Sequence, residues 1–333
     1  MAKKYLVTGG TGFIGSALVK RLVKEKNFVR VFDNDLRGVS SRLAGIKDKI
    51  ELVAGDIRNP DEVQKACRGM DSVIHLAYIN GTEYFYKMPE LVLEVGVKGI
   101  INVIDGCMKE NVKELVLASS SEVYQTPKKV PTDENAALVV PDSANPRYSY
   151  GAGKIISEMM AINYGRKHFN RVLIFRPHNV YGPDMGWEHV IPQMSLRMKD
   201  LCKKDTSKKI KFTIQGSGKE TRAFVYIDDF TDGLMIMLKK GMHLNTYNIG
   251  TMEEISITDV AKKIGKCFGK DVEIMPSDVL KGSTPRRCPD IVKLKKMGYK
   301  PKISFDNGLA RTVKWYNDNA EKARKINWNS GKI

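Results

Sequence analysis

The chain begins with a short apolar run, Lys4–Thr8. This run ends in Thr8-Gly9-Gly10-Thr11-Gly12-Phe13-Ile14-Gly15 and passes at once into the helical pattern Ile14–Lys24. Three glycines at this spacing between a strand and a helix leave few folds open. Gly9 permits a tight turn, Gly12 a close approach of backbone to ligand, and Gly15 close packing of helix on strand. The helix N-terminus then offers unpaired N–H groups and a positive dipole end to phosphate. Gly9, Gly12, Phe13, Ile14 and Gly15 are therefore expected to hold a dinucleotide.

Strand-like and helix-like segments go on alternating through the first half. Lys4–Thr8, Phe28–Phe32, Ile50–Ala54, Ser72–Leu76, Lys113–Ser119 and Arg171–Arg176 are short apolar or β-branched runs. Between them lie helical patterns at Ile14–Lys24, Pro60–Cys67, within Pro89–Glu110, and at Ser149–Lys167. This order predicts an α/β fold, a doubly wound parallel sheet covered by helices on both faces. After Arg176 the pattern is less regular. Breaks at Pro177, Gly182-Pro183, Gly186 and Pro192 and a polar loop at Asp205–Lys209 precede strand-like Lys211–Ile214 and Arg222–Tyr226, helical Asp228–Leu238 and strand-like Thr246–Ile249. The expected division is a dinucleotide-binding domain over 1–178, to which 222–250 returns, and a smaller, loop-rich C-terminal substrate domain over most of 179–333.

Asp33 closes the second strand, where a carboxylate accepts hydrogen bonds from the adenosine ribose diol and repels a 2′-phosphate, so NAD is expected. Arg37 and Arg42, close by, keep NADP as the alternative. Asp56 and Ile57, after the third strand, are expected at the adenine, with capping of the next helix as the other role for Asp56.

Composition narrows the class. With 42% hydrophobic and 28% charged residues in 333, the chain reads as an ordinary soluble protein with a sizeable core. The net charge of +17 comes from lysines spread in ones and twos, without a nucleic-acid-binding motif. No nucleic-acid partner is expected; the excess suits an anionic small substrate. No apolar run reaches the length of a membrane span and no signal peptide is read. Five scattered cysteines without CxxC spacing predict reduced thiols, a cytoplasmic location and no metal site.

Tyr150 and Lys154 stand four apart in a helical pattern and share a face. A phenol held beside an ammonium is expected to have a lowered pKa and to serve as a general base toward a hydroxyl. Tyr148, six residues from Lys154, falls well round the helix.

The ordered set is specific. It comprises the glycine cradle, Asp33, Gly55-Asp56-Ile57, His75-Leu76-Ala77, the serines before Val123-Tyr124, and Tyr150-x-x-x-Lys154. It continues through Arg176–Pro183, Gly216–Arg222, Val225–Asp229 and Arg286–Asp290. Together these resemble the extended short-chain dehydrogenase/reductase family that modifies nucleotide sugars, over about residues 4–320. The resemblance implies a Rossmann fold, NAD as cofactor and a nucleotide-sugar substrate. It also implies a homodimer built on the helices of Pro89–Glu110 and Ser149–Lys167. It selects Ser120 as the catalytic hydroxyl, with Ser119 and Ser121 as neighbouring choices. It assigns Asn179, Arg222 and Arg286 to the substrate diphosphate.

That resemblance implies oxidation at C4 of the sugar and favours a nucleotide-sugar 4-epimerase. Glu122 complicates the assignment, because a carboxylate before Val-Tyr is usual in dehydratases and decarboxylases of the family. A 4,6-dehydratase or uronate decarboxylase using Glu122 is the alternative, a simple 4-dehydrogenase the third, and a non-catalytic NAD- or nucleotide-sugar-binding protein the reading of another class. Three residues depart from the family pattern. Ser121 stands where many sugar 4,6-dehydratases have aspartate, although some members have serine followed by glutamate; Gln125 stands where glycine is usual, and Gly96 where many relatives carry a cofactor-contacting asparagine.

Overall fold

The computed structural model describes residues 2–278 and 284–323. Six strands of the first half are β1 (Lys4–Thr8), β2 (Phe28–Asp33), β3 (Glu51–Ala54), β4 (Ser72–His75), β5 (Glu114–Ala118) and β6 (Arg171–Pro177). They join a returning strand, Asn245–Ile249, in one seven-stranded sheet ordered returning strand, β6, β5, β4, β1, β2, β3. Every pairing in it is parallel. Alternation along the strands splits the apolar side chains between two cores. Val7, Val31 and Val116 pack on one face with Leu18 and Leu22 of the first helix. Leu6, Leu115 and Leu117 pack on the other with Val63, Val103 and Ile104. A strand covered on both faces reads as an unbroken apolar run, and β5 is buried at all five positions.

Several boundaries differ from the sequence reading for local reasons. The helical pattern of Pro89–Glu110 runs as Pro89–Leu93, a wide π-helical turn over Glu94–Lys98, and Gly99–Lys109. Arg222–Tyr226 is two short strands, Thr221–Ala223 and Val225–Tyr226, with different partners. A helix over Val190–Lys204 is hidden in the sequence by Pro192, which sits in its first turn where no intrahelical N–H is lost. Outside the main sheet, Lys209–Gln215 pairs in parallel with Asp271–Ser277 and buries Ile210, Phe212 and Ile214 on alternate positions. Among the described residues no helix is long and apolar enough to cross a membrane.

Candidate active site

The turn after β1 is built as three glycines allow. Gly9 has φ +72°, and a Cβ there would fall 2.6 Å from the Ala77 nitrogen. A Cβ on Gly15 would fall 2.1 Å from the Gly9 carbonyl oxygen, so the helix can approach the turn only without a side chain. The first helix starts at Phe13 after Gly12 with no side-chain cap, which leaves its first N–H groups facing the cleft. Asp33, at the end of β2, accepts from the Thr11 backbone N–H at 3.0 Å and from that of Asp35 at 3.0 Å. A small recess beside it is lined by Asp33, Asp56, Ile57, Ala77 and Tyr78. These residues fit a dinucleotide: phosphate at an uncapped helix N-terminus, and carboxylates where a ribose diol and an amino group need acceptors. Asp56 does not cap the next helix, a role taken by Asn59. It pairs with Arg58 at 2.7 Å, and that guanidinium holds its carboxyl below the usual range. Arg42 is committed to Asp184 at 2.8 Å and Arg37 reaches Glu188 at 3.4 Å, so both arginines are engaged across the mouth of the cleft.

The main cleft, about 390 Å³, runs from this turn to Tyr150 and Lys154. Both catalytic candidates are buried on the helix Ser149–His168. Ser120 precedes a turn of 3₁₀ helix, Ser121–Tyr124, and its hydroxyl accepts from the Glu122 N–H at 3.2 Å. The same hydroxyl lowers the pKa of the Tyr150 phenol, which lines the cleft beside it. Ser119 Oγ is buried without a partner among the described residues. Tyr148 does not line the cleft.

The expected lowering of the phenol pKa by its lysine is not what the buried pair produces. Lys154 Nζ donates to the Ala118 carbonyl at 2.7 Å and lies 5.7 Å from the Tyr150 ring centroid. Burial raises the Tyr150 pKa, against a smaller lowering by Ser120. The same burial lowers Lys154 to about 7, against the nearby Glu158 carboxylate. Desolvation penalises both charged forms and is the largest cause of each shift. Phe85 stacks on the Tyr150 ring at 5.1 Å, and Tyr78 meets it edge-on at 5.0 Å. No sequence pattern marks either aromatic.

At the far end of the cleft, Glu122 lies between two guanidiniums. Its Oε1 accepts from Arg287 Nη1 at 2.7 Å, and its Oε2 is 3.8 Å from Arg147 Nη2. Burial pushes its carboxyl up, but Arg287 and Arg147 more than offset this and hold it below the ordinary range. Of the adjacent arginines, Arg286 turns away to Glu254 at 2.6 Å, and Arg287 faces the cleft. Successive residues of a strand point to opposite sides, and a motif read from sequence does not say which. Arg222 pairs in register with Arg287, so the two lie side by side. Burial, then Arg287, lower Arg222 to about 10. Asn179 lines the cleft in a left-handed conformation, φ +41°, and donates to the Ala223 carbonyl at 3.2 Å.

A buried network behind the cleft fixes these positions. Arg176 Nη2 binds Glu158 at 2.6 Å, one helical turn after Lys154, and its Nη1 donates to Tyr124 Oη at 2.6 Å. Tyr124 in turn donates to Asn248 at 2.9 Å. Arg176, first residue of the Arg176–Pro183 motif, thus ties the Ser120–Tyr124 turn to the catalytic helix. His75 is a buried strand-end residue, 2.8 Å from Thr8 Oγ1, and burial lowers it to about 3.

Residues 5–250 match the NAD dependent epimerase/dehydratase family. The UDP-N-acetyl-alpha-D-glucosaminuronate decarboxylase of Bacillus cytotoxicus is 29% identical, covering 96% of this chain and 99% of its own. A putative UDP-glucose 4-epimerase of Methanocaldococcus jannaschii is 30% identical, covering 94% and 98%. Among solved structures, the dTDP-glucose 4,6-dehydratase DesIV of Streptomyces venezuelae, determined with NAD bound, superposes with a TM-score of 0.85. It is 28% identical, covering 96% and 98%.

Proposed function

We propose that this chain, which belongs to the NAD-dependent epimerase/dehydratase family, oxidises C4 of a nucleotide-diphosphate uronate and releases CO₂ from C5. Family membership makes it an NAD-dependent enzyme of nucleotide-sugar metabolism. The finer reading rests on one observation, the Glu122–Arg287 pair in the cleft beside Ser120 and Tyr150. A partly buried ion pair gains little stability over apolar packing, so its presence here points to chemistry at the sugar. An epimerase working at C4 alone has no use for a carboxylate at this place. A dehydratase needs in addition an acid to protonate the leaving hydroxyl, and position 121 carries serine. Loss of CO₂ needs no such acid.

NAD, when bound, supplies the reversible acceptor for the C4 hydride and one positive charge. Gly9, Gly12, Phe13, Ile14 and Gly15 hold its pyrophosphate, and Asp33, Asp56 and Ile57 its adenosine. Tyr150 Oη takes the proton of the C4 hydroxyl. Ser120 donates to the oxygen that becomes a carbonyl, so charge developing there meets a fixed donor. Lys154, in its charged form, favours the phenolate. Oxidation makes the substrate a β-keto acid. When CO₂ leaves, the bonding pair passes to the C4 oxygen, where Ser120 and Tyr150 hold it. Glu122 stays ionised, C5 takes its proton from water held against that carboxylate, and return of the hydride to C4 and of the Tyr150 proton to its oxygen leaves a nucleotide-linked pentose. Arg222 and Asn179 grip the diphosphate, and Arg287 takes the part expected of Arg286 from the motif.

Product analysis of UDP-, GDP- and dTDP-linked uronates and neutral sugars, with added NAD, tests this. Turnover of neutral sugars alone would sink the uronate reading. The second reading, 4-epimerisation, is the one the sequence alone favours, and it draws support from the archaeal relative. A homodimer is also proposed. Ile101, Ile156, Met159 and Tyr164 are exposed on the two helical segments expected to pair. A monomeric mass by light scattering would rule it out.

A further inference from the structure

We propose that Tyr78 is a positioning residue for Lys154, its ring face carrying the ammonium in a space that exists because residues 96 and 153 are glycines. This rests on reading Tyr150 and Lys154 as the catalytic pair. Lys154 Nζ lies 3.9 Å from the centroid of the Tyr78 ring, well within reach of a cation–π contact in a desolvated site. With the bond to the Ala118 carbonyl, this gives the ammonium two fixed partners on the protein.

Tyr78 reaches that position through a gap in two helices. A Cβ on Gly96 would fall 2.0 Å from Tyr78 Oη, and one on Gly153 would fall 2.1 Å from it. Any side chain at either position would push the phenol out. Gly96 sits in the π-helical turn Glu94–Lys98, and Gly153 directly precedes Lys154. Tyr78 Oη is buried and finds no hydrogen-bond partner among the described residues. A hydroxyl left so is unfavourable, which argues that the ring is held for what its face does. The glycine at 96, a departure from the family pattern in sequence, is thus coupled to the aromatic at 78. The ring acts on protonation as well as position. Burial alone drives Lys154 toward the neutral amine, and a π face stabilises the ammonium.

Calorimetry of NAD binding between pH 6 and 9, in buffers of different ionisation enthalpy, counts the protons exchanged and gives the midpoint of the titrating group. Tyr78→Phe keeps the ring and is expected to leave that midpoint unchanged. Tyr78→Leu is expected to lower it by about one pH unit and kcat at pH 7 by about tenfold. Gly96→Ala, which keeps the tyrosine but displaces it, is expected to lower the midpoint as well. An unshifted midpoint in both Tyr78→Leu and Gly96→Ala overturns the proposal. Lys154→Met should abolish that proton exchange. If exchange persists there, the titrating group is not Lys154, and the catalytic-pair reading falls together with the role of Tyr78.

Discussion

Arg287 Nη1 donates to Glu122 Oε1 across 2.7 Å, joining the loop after β5 to a strand more than a hundred and fifty residues later. The contact sets the charge of Glu122, because Arg287 and Arg147 together outweigh the burial that would otherwise protonate it. Glu122→Gln should therefore spare the first hydride transfer and CO₂ loss and slow the protonation of C5 that follows. In a single turnover the rise of absorbance at 340 nm should keep its rate within about threefold, while its decay, as hydride returns after that protonation, slows by about 100-fold or more. Equal loss in both signals would remove Glu122 from the second step.

Tyr150→Phe removes the proposed base without changing the ring packing against Phe85 and Tyr78. The expected fall in kcat is about 10²- to 10⁴-fold, the usual worth of a positioned acid–base group. Nucleotide-sugar affinity, measured by calorimetry, should stay within a few-fold. Ser120→Ala should cost about 10²-fold, because it takes a donor from the developing oxyanion.

Stability should carry the mark of the buried lysine. Lys154 falls to about 7 in the fold from an ordinary 10.5. The unfolded chain therefore binds the extra proton between these values, and stability rises with pH across that window. Below pH 7 the fold bears the full penalty, on the order of 5 kcal/mol. Lys154→Met should raise Tm by several degrees at pH 6–7, and the gap from wild type should close toward pH 10. On the acid side, His75 and His178 are each lowered to about 3 by burial. Stability should fall as pH drops from about 6.5 toward 3, because the unfolded chain takes up those protons first. Thermal melts across pH 4–10 check both slopes.

Gln125 occupies φ +51° and ψ −109°, a conformation in which glycine carries no steric penalty. Its amide donates to the Glu122 carbonyl at 2.6 Å, so the strain comes with one hydrogen bond. Relief of about 1–3 kcal/mol against a bond worth about 1 kcal/mol predicts that Gln125→Gly stabilises the protein by about 1 kcal/mol. Calorimetric melting should show Tm higher by about 1–2 °C.

Much of the fold is legible in local pattern. The glycine spacing, Asp33 and the alternation of short apolar runs with helical stretches lead to the same parallel sheet that pairs β1 with β2 and β4. Helical phase singles out Tyr150 and Lys154, the family resemblance adds Ser120, and these three do line one cleft. The features that escape depend on tertiary contact. Arg286 and Arg287 are indistinguishable in sequence, and the strand pleat sends them to opposite sides. Tyr78 gives no signal by itself, since its meaning lies in glycines 18 and 75 residues away. The pKa of Tyr150 moves opposite to the expectation because spacing reveals the neighbour and not the desolvation.

The most direct test of the central claim uses a UDP-linked uronate carrying ¹³C at C6, incubated with the protein and NAD and followed by NMR. The label is expected to leave as ¹³CO₂, in step with a UDP-linked pentose, and to stay in place with Tyr150→Phe. Retention of the label on a sugar inverted at C4 would contradict decarboxylation and make the protein an epimerase.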